Sequence, residues 1–216
     1  MKIIPSATIA LVVGAIGLGA LSADGAQAKP AQEYIVRADL RLCPSPLCGG
    51  YWIALANKAR TKCPDRKYRP RCYVAPAWPA WPASRTIHDG ALVQGGIAAG
   101  DVPGFEHLGM LIATDVRNPA GTVASGSFHR LRDIGVRCAG EPCFSIRTSR
   151  LNTTSSMLVS GVDLKRAGLA EELEMRATLA LVGDGLFAAG RTVSGAEGGR
   201  VFHASRIYLR GRQPPG

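Results

Sequence analysis

The sequence predicts a mainly β fold built as two tandem OB-like, five-stranded β-barrel units. Each would run strand, strand, strand, crossover, strand, strand, and the second carries the one clear helix. Three observations predict it. Short runs rich in β-branched and aromatic residues, bounded by Gly and Pro, recur along the 216 residues. A shift of 95 positions lays Arg37 on Arg132, Cys43 on Cys138, Cys48 on Cys143 and Asn57 on Asn152. The same shift carries Asp89, Gly90, Gly95 and Gly100 onto Asp184, Gly185, Gly190 and Gly195, so one D-G-x4-G-x4-G pattern occurs twice. A single fused β-sandwich with the same strands is the runner-up architecture.

Taken in order, the chain opens on Lys2 and an apolar run from Ala7 to Leu21, with small residues at Ala26–Ala28. The run falls short of the roughly 20 apolar residues that span a bilayer. Residues 1–28 therefore read as a removed signal peptide, leaving no membrane span afterwards. The first unit is assigned to 29–120 and the second to 121–216, with the boundary in "NPAGTVASG" (118–126).

In the first unit, Tyr34–Leu42 and Tyr51–Asn57 are strand-like and flank "LCPSPLCGG". Pro44 and Pro46 stop that piece continuing as a paired strand, and Gly49 and Gly50 permit a return path at positive φ. Cys43 and Cys48 then close a clip on a turn. By the repeat Cys138 joins Cys143, and Cys63 joins Cys72 by remainder. A polar, basic loop spans Lys58–Arg71, followed by Cys72–Ala75. "PAWPAWPAS" (76–84) is kept out of any sheet interior by its prolines and serves as the crossover. Ala91–Ala98 and Gly109–Val116 complete the unit.

The second unit reads in parallel. Phe128–Arg137, Phe144–Leu151 and Ser156–Val162 are strands, and Ala170–Leu181 is the helix. Leu169, Leu173, Ala177 and Leu181 fall on one stripe. Glu171, Glu172 and Glu174 sit where the helix dipole favours them, and Gly183 ends the run. Leu186–Gly195 and Arg200–Arg210 are the last two strands.

Six cysteines in an exported chain indicate disulfides and an oxidising compartment, so the protein is expected to be secreted or periplasmic. Four thiolates from the two C-x4-C pairs could instead hold zinc, but exported thiols oxidise and the spacing is wider than a C-x2-C knuckle. His88, His107, His129 and His203 are scattered, and no metal or cofactor site is expected. The net charge of +10 concentrates anionic partners of any kind. The expected partner is an anionic envelope polymer or another exported protein. Nucleic acid is not expected: aromatics are few (Trp 3, Tyr 5, Phe 5), and export removes most such substrates.

No nucleophile elbow, S-x-x-K, H-E-x-x-H or P-loop occurs, so no catalytic residues are assigned. Asp89 and Asp184, each before Gly, read as turn residues. Trp78 and Trp81 form a possible binding platform for a sugar or peptide, unless they fold down over the barrel in place of the helix.

The residues Cys43, Ser45, Pro46, Cys48, Gly49 and Gly50, followed by Cys63 and Cys72, resemble a family of uncharacterised domains in exported bacterial proteins, abundant in myxobacteria. Their shared feature is a C-x-S-P-x-C-G-G core ahead of a strand and a second cysteine pair. The second half keeps Cys138 and Cys143 but lacks Ser-Pro and Gly-Gly. The resemblance implies export and no established activity. The expected function is a non-enzymatic exported binding or envelope-associated module. The alternatives are a secreted hydrolase with a site not visible in sequence, and a netrin-like protease-inhibitor module that presents the clip.

Overall fold

A computed structural model describes residues 31–75, 86–100 and 102–211. The expected signal peptide, 1–28, and the expected platform residues Trp78 and Trp81 lie outside the described residues. The first half contributes β1 (Gln32–Ala38), β2 (Tyr51–Leu55), β3 (Thr61–Lys62), β4 (Tyr68–Arg69), β5 (Cys72–Val74), β6 (Ala91–Ala98) and β7 (Met110–Gly121). The second contributes β8 (Ser127–Asp133), β9 (Ile146–Arg150), β10 (Ser156–Val159), β11 (Gly161–Asp163), α1 (Glu171–Val182), β12 (Leu186–Ser194) and β13 (Arg200–Arg210).

Eleven strands form one sheet, in the order β10-β9-β8-β12-β13-β7-β6-β1-β2-β5, with β11 attached to β13. The order reads as a palindrome. Setting aside the β3–β4 hairpin and β11, which lie off this path, each half has five strands, and from either end the order passes the third, second, first, fourth and fifth strand of one half, then the other half in reverse. The two fifth strands, β7 and β13, meet antiparallel from Gly121 opposite Arg206 to Arg117 opposite Arg210.

Registers repeat as well as order. Tyr34 faces Leu55 in the first half, and His129 faces Arg150 in the second, each pair shifted by the same 95 positions. Both fourth strands carry a bulge at the equivalent point, Gln94/Gly95 and Ala189/Gly190. Glycine is required there for space. A Cβ on Gly95 would lie 2.0 Å from the Ile112 carbonyl oxygen, and one on Gly190 would lie 2.2 Å from that of His203.

The mainly β fold is as expected, but the expected OB-like five-stranded β-barrel units are corrected on one point: the sheet does not close into a barrel and is an open path whose ends are β5 and β10. The reason is that each fifth strand gives an edge to its counterpart in the other half. Third and fifth strands meet only briefly within a half. Ala75 N donates to Gly109 O at 3.3 Å, and Ser160 N donates to Arg200 O at 2.8 Å beside the short parallel pairing of β11 with β13. Local departures from expectation have similar causes. The run 156–162 breaks at Ser160 because β10 pairs with β9 and β11 with β13. The loop 58–71 contains the β3–β4 hairpin, and β7 extends past Val116 because β13 pairs with its second half.

Among the described residues, three apolar clusters result. One lies in the first half around Val36, Ile53, Val74 and Val93, and one in the second around Leu131, Leu186, Phe202 and Ile207. The third, Ala56, Leu92, Leu151, Phe187, Ala189 and Tyr208, joins residues of both halves. Each fully buried Leu, Ile or Phe stabilises the fold by about 1.5–3 kcal/mol. Helix α1 packs Leu173, Ala177, Ala180 and Leu181 against the second cluster.

Three disulfides are present: Cys43–Cys48, Cys63–Cys72 and Cys138–Cys143. The first and third close the β1–β2 and β8–β9 connections, and each clip holds one cis X-Pro bond, Ser45-Pro46 and Glu141-Pro142. The second is buried in the first cluster. Gly49 has the expected positive φ, 80°, but Gly50 does not. Gly50 is there for a close approach instead, since its Cβ would lie 2.2 Å from the Val74 carbonyl oxygen.

Candidate anion-binding cleft

Where the two halves meet, β7 and β13 carry charged residues into an otherwise apolar layer. Asp115 and Arg117 alternate on β7, so both side chains point to the same face, and both are buried. Arg210 ends β13 opposite Arg117. Its Nε lies 3.0 Å from Asp115 Oδ1, its Nη2 3.0 Å from Asp115 Oδ2, and its Nη1 2.9 Å from Asp184 Oδ2. Arg117 Nη2 pairs with the same Asp115 carboxylate. Among the described residues, this one buried carboxylate thus serves the guanidinium groups of both Arg117 and Arg210.

Above this layer α1 and the turn after it form a cleft of about 490 Å3. Arg117, Arg176, Asp184, Tyr208 and Arg210 supply its polar lining, and Leu179, Ala180 and Leu209 its apolar lining. Arg176 is anchored by donating to the Arg210 carbonyl oxygen at 2.8 Å. Gly185, at φ 101°, lets the chain leave the helix and enter β12 under this cleft.

Arg117 is the unusual member. Its guanidinium carbon stands 3.8 Å from the centre of the Phe187 ring, and its Nη1 is buried without a hydrogen-bond partner. Burial pushes its pKa below the ordinary arginine value, opposed by Asp115 and reinforced by Arg210 and Arg130. A charged donor left unpaired in a protein interior costs more than the roughly 1–3 kcal/mol of a neutral one. Arg210 moves the other way, its pKa pushed up by its hydrogen bonds to Asp115. Glu33 is pushed up by burial, with Arg117 and Arg130 acting against that shift.

A second polar cluster holds the first clip. Arg41 chelates Asp39 and donates to Leu47 O at 2.9 Å, and its guanidinium stacks over Trp52 and Tyr73. Tyr73 donates to Pro46 O at 2.9 Å and accepts from Gly50 N. These contacts tie the clip to β2 and β5 and explain its shape.

Sequence reasoning singled out the cysteines and the two D-G turns, and of these the second turn, Asp184 and Gly185, reaches the cleft. Asp89 instead accepts from Ala38 N at 3.1 Å. His129, His203, His88 and His107 lie away from the cleft lining, which contains no histidine, serine or cysteine. The signal that was readable is the D-V-R at 115–117, two charges on one face of an apolar strand.

Among the described residues, no helix is long and apolar enough to cross a membrane, and no group of metal-ligating side chains gathers. The fold and cleft define a disulfide-held, mainly β protein with an arginine-lined recess at the junction of two repeated halves. Residues 32–214 match the model of DUF6748, a domain of unknown function, and the chain belongs to that family. No curated protein and no solved structure matches it.

Proposed function

We propose that this protein is an exported, non-enzymatic binding module that captures an anionic group of an envelope polymer or of another exported protein in the arginine cleft. The unpaired Nη1 of the buried Arg117 carries this reading. An arginine fork is matched to carboxylate and phosphate oxygens, and a ligand oxygen reaching Nη1 would relieve a donor that the fold leaves unsatisfied. Among the described residues, three guanidinium groups against two carboxylates leave the recess net positive, and the chain as a whole carries +10. Three disulfides support an oxidising destination, reached through removal of residues 1–28. The cleft lining holds no histidine, serine or cysteine, and its carboxylate, Asp184, is engaged by Arg210.

Each half is best read as an opened OB-like unit, 29–120 and 121–216. In support, each follows the order third, second, first, fourth, fifth strand, and β11, which continues from the third strand of the second half, pairs in parallel with the fifth, β13.

The test is a titration of nitrogen-15-labelled protein with acetate and with inorganic phosphate, following the arginine side-chain Nε–H resonances. Saturable shifts are expected at Arg117 and Arg210, weakening as salt is raised. Arg117→Met should remove them, and Arg176→Gln, at the half-buried rim, should weaken them severalfold if the Met variant does not fold. Unmoved Arg117 and Arg210 resonances would overturn the reading.

A further inference from the structure

The helix that roofs the cleft is apolar on two faces. Leu173, Ala177 and Leu181 pack inward, while Met175, Leu179 and Val182 stand 60%, 67% and 62% exposed. Positions 175, 179 and 182 are spaced by four and three residues, so they form one stripe about two turns long. Isolated exposed apolar residues need no explanation, but a stripe at helical spacing marks a contact surface. Leu179 belongs to both features: it is the middle of the stripe and part of the cleft lining. The stripe therefore runs directly into the recess that holds Arg117, Arg176 and Arg210.

We infer that the cleft and the outer face of α1 form one docking surface for an apolar, carboxylate-bearing segment of an exported protein partner. This rests on the anion-binding reading of the cleft and specifies its ligand. Charge complementarity selects the occupant: the polar end of the surface offers guanidinium donors, one of them unpaired, and the stripe of Met175, Leu179 and Val182 offers hydrocarbon. The stripe is open along its length. An acyl chain laid on it would keep one side in water, whereas a peptide can turn its apolar side chains to the stripe and its backbone outward. Helix-face recognition of this kind reads anchors at intervals of three and four residues. A free chain terminus and a glutamate side chain present the same carboxylate chemistry to Arg117.

The experiment uses the full mature chain and defined probes, with binding followed by nitrogen-15 and methionine-methyl resonances. The probes are acetyl-Leu-Ala-Leu-Leu with a free carboxylate, the same peptide amidated, acetyl-Leu-Glu-Leu-Leu amide, acetyl-Ser-Ala-Ser-Ser acid, acetate and decanoate. The apolar acid should bind at least tenfold more tightly than its amide and than the serine peptide, moving the Met175 methyl together with the Arg117 Nε–H. Comparable binding of the glutamate-bearing amide would assign an internal acidic side chain as the source, and its failure would assign the chain terminus. Met175→Ser with Val182→Ser should weaken the apolar acid about tenfold and leave acetate binding as it was. Equal binding of the serine and leucine acids, or no effect of the two serine substitutions, would overturn the inference while acetate shifts at Arg117 keep the anion site standing. Tighter binding of decanoate than of any peptide would overturn it in favour of an acyl amphiphile. Failure of every probe, acetate included, would overturn both readings.

Discussion

Asn57 and Asn152, equivalent in the two halves, make the same hydrogen bonds in exchanged directions. Asn57 Nδ2 donates to Phe128 O at 2.7 Å and Leu151 O at 3.1 Å, and its Oδ1 accepts from Phe128 N at 2.9 Å. Asn152 Nδ2 donates to Glu33 O at 2.8 Å and Ala56 O at 2.9 Å, and its Oδ1 accepts from Glu33 N at 3.0 Å. Each half thus satisfies three backbone groups of the other. Both residues sit in the left-handed region, at φ 59° and 56°, which asparagine tolerates better than most side chains.

Replacing either by alanine should therefore destabilise the protein on the order of 3 kcal/mol, mostly through the unpaired backbone groups left behind. Asn57→Gly should recover about 1 kcal/mol of the Asn57→Ala loss, because only the left-handed strain is relieved. Urea unfolding midpoints at constant slope read both. Alanine variants within about 0.5 kcal/mol of the parent would show that the reciprocal clasp does not hold the halves.

The two bulge glycines should be intolerant of any side chain, in contrast to a neighbour. Gly95→Ala and Gly190→Ala place a methyl on a carbonyl oxygen, so a loss above about 2 kcal/mol or a shifted register is expected. Gly96, where a Cβ meets nothing within 4 Å, should accept alanine within about 0.5 kcal/mol. Amide spectra alongside thermal melts separate repacking from simple loss. Equal behaviour at positions 95 and 96 would contradict the bulge geometry.

Among the disulfides, the buried one should matter most. Cys63→Ala with Cys72→Ala removes a bridge of sequence separation 9 from the first apolar cluster. The chain-entropy model assigns it about 3 kcal/mol, which for a chain of this size lowers Tm by roughly 6–12 °C. Removing Cys138–Cys143, which closes a shorter and more exposed loop, should lower Tm less. Calorimetry of the two double variants gives the order, and a reversed order would refute it.

Stability should fall with acid before the carboxylates titrate. Burial, with Arg150 adding to it, lowers the His129 pKa from 6.5 to about 4. The unfolded chain then takes up this proton first. The contribution of neutral His129 is present above about pH 6.5 and is lost as pH falls towards 4. Asp39 and Asp133, whose pKa values are lowered chiefly by hydrogen bonds from Arg41 and Arg137, add their losses only at lower pH. Urea midpoints at pH 7 and pH 5 should differ in the parent and differ less in His129→Phe, which keeps an aromatic ring against Phe202. An unchanged pH slope in that variant would exclude His129 as the source.

Most strands were legible because their information is local. Ala91–Ala98 and Arg200–Arg210 coincide with β6 and β13, and the disulfide pairing followed from counting cysteines across the repeat. The cleft was not legible. Arg117, Arg176, Asp184 and Arg210 come from β7, α1, the following turn and β13, and nothing in their sequence spacing brings them together. The outer stripe of α1 was hidden for a different reason: the inward stripe through Leu173 and Ala177 already accounted for the helix, and exposure is not a property of one helix alone.

By itself the sequence determined the β-rich composition of the elements, their duplication at one offset, and the three cysteine pairs, because turn chemistry, side-chain alternation and short loop closure act over a few residues. The tertiary structure alone decided that the two fifth strands pair with each other and open both units into one palindromic sheet. It also decided that this junction buries Arg117 with a donor to spare. Those outcomes depend on which strand edge meets which across some ninety residues of chain, a competition between long-range pairings that local preferences do not rank.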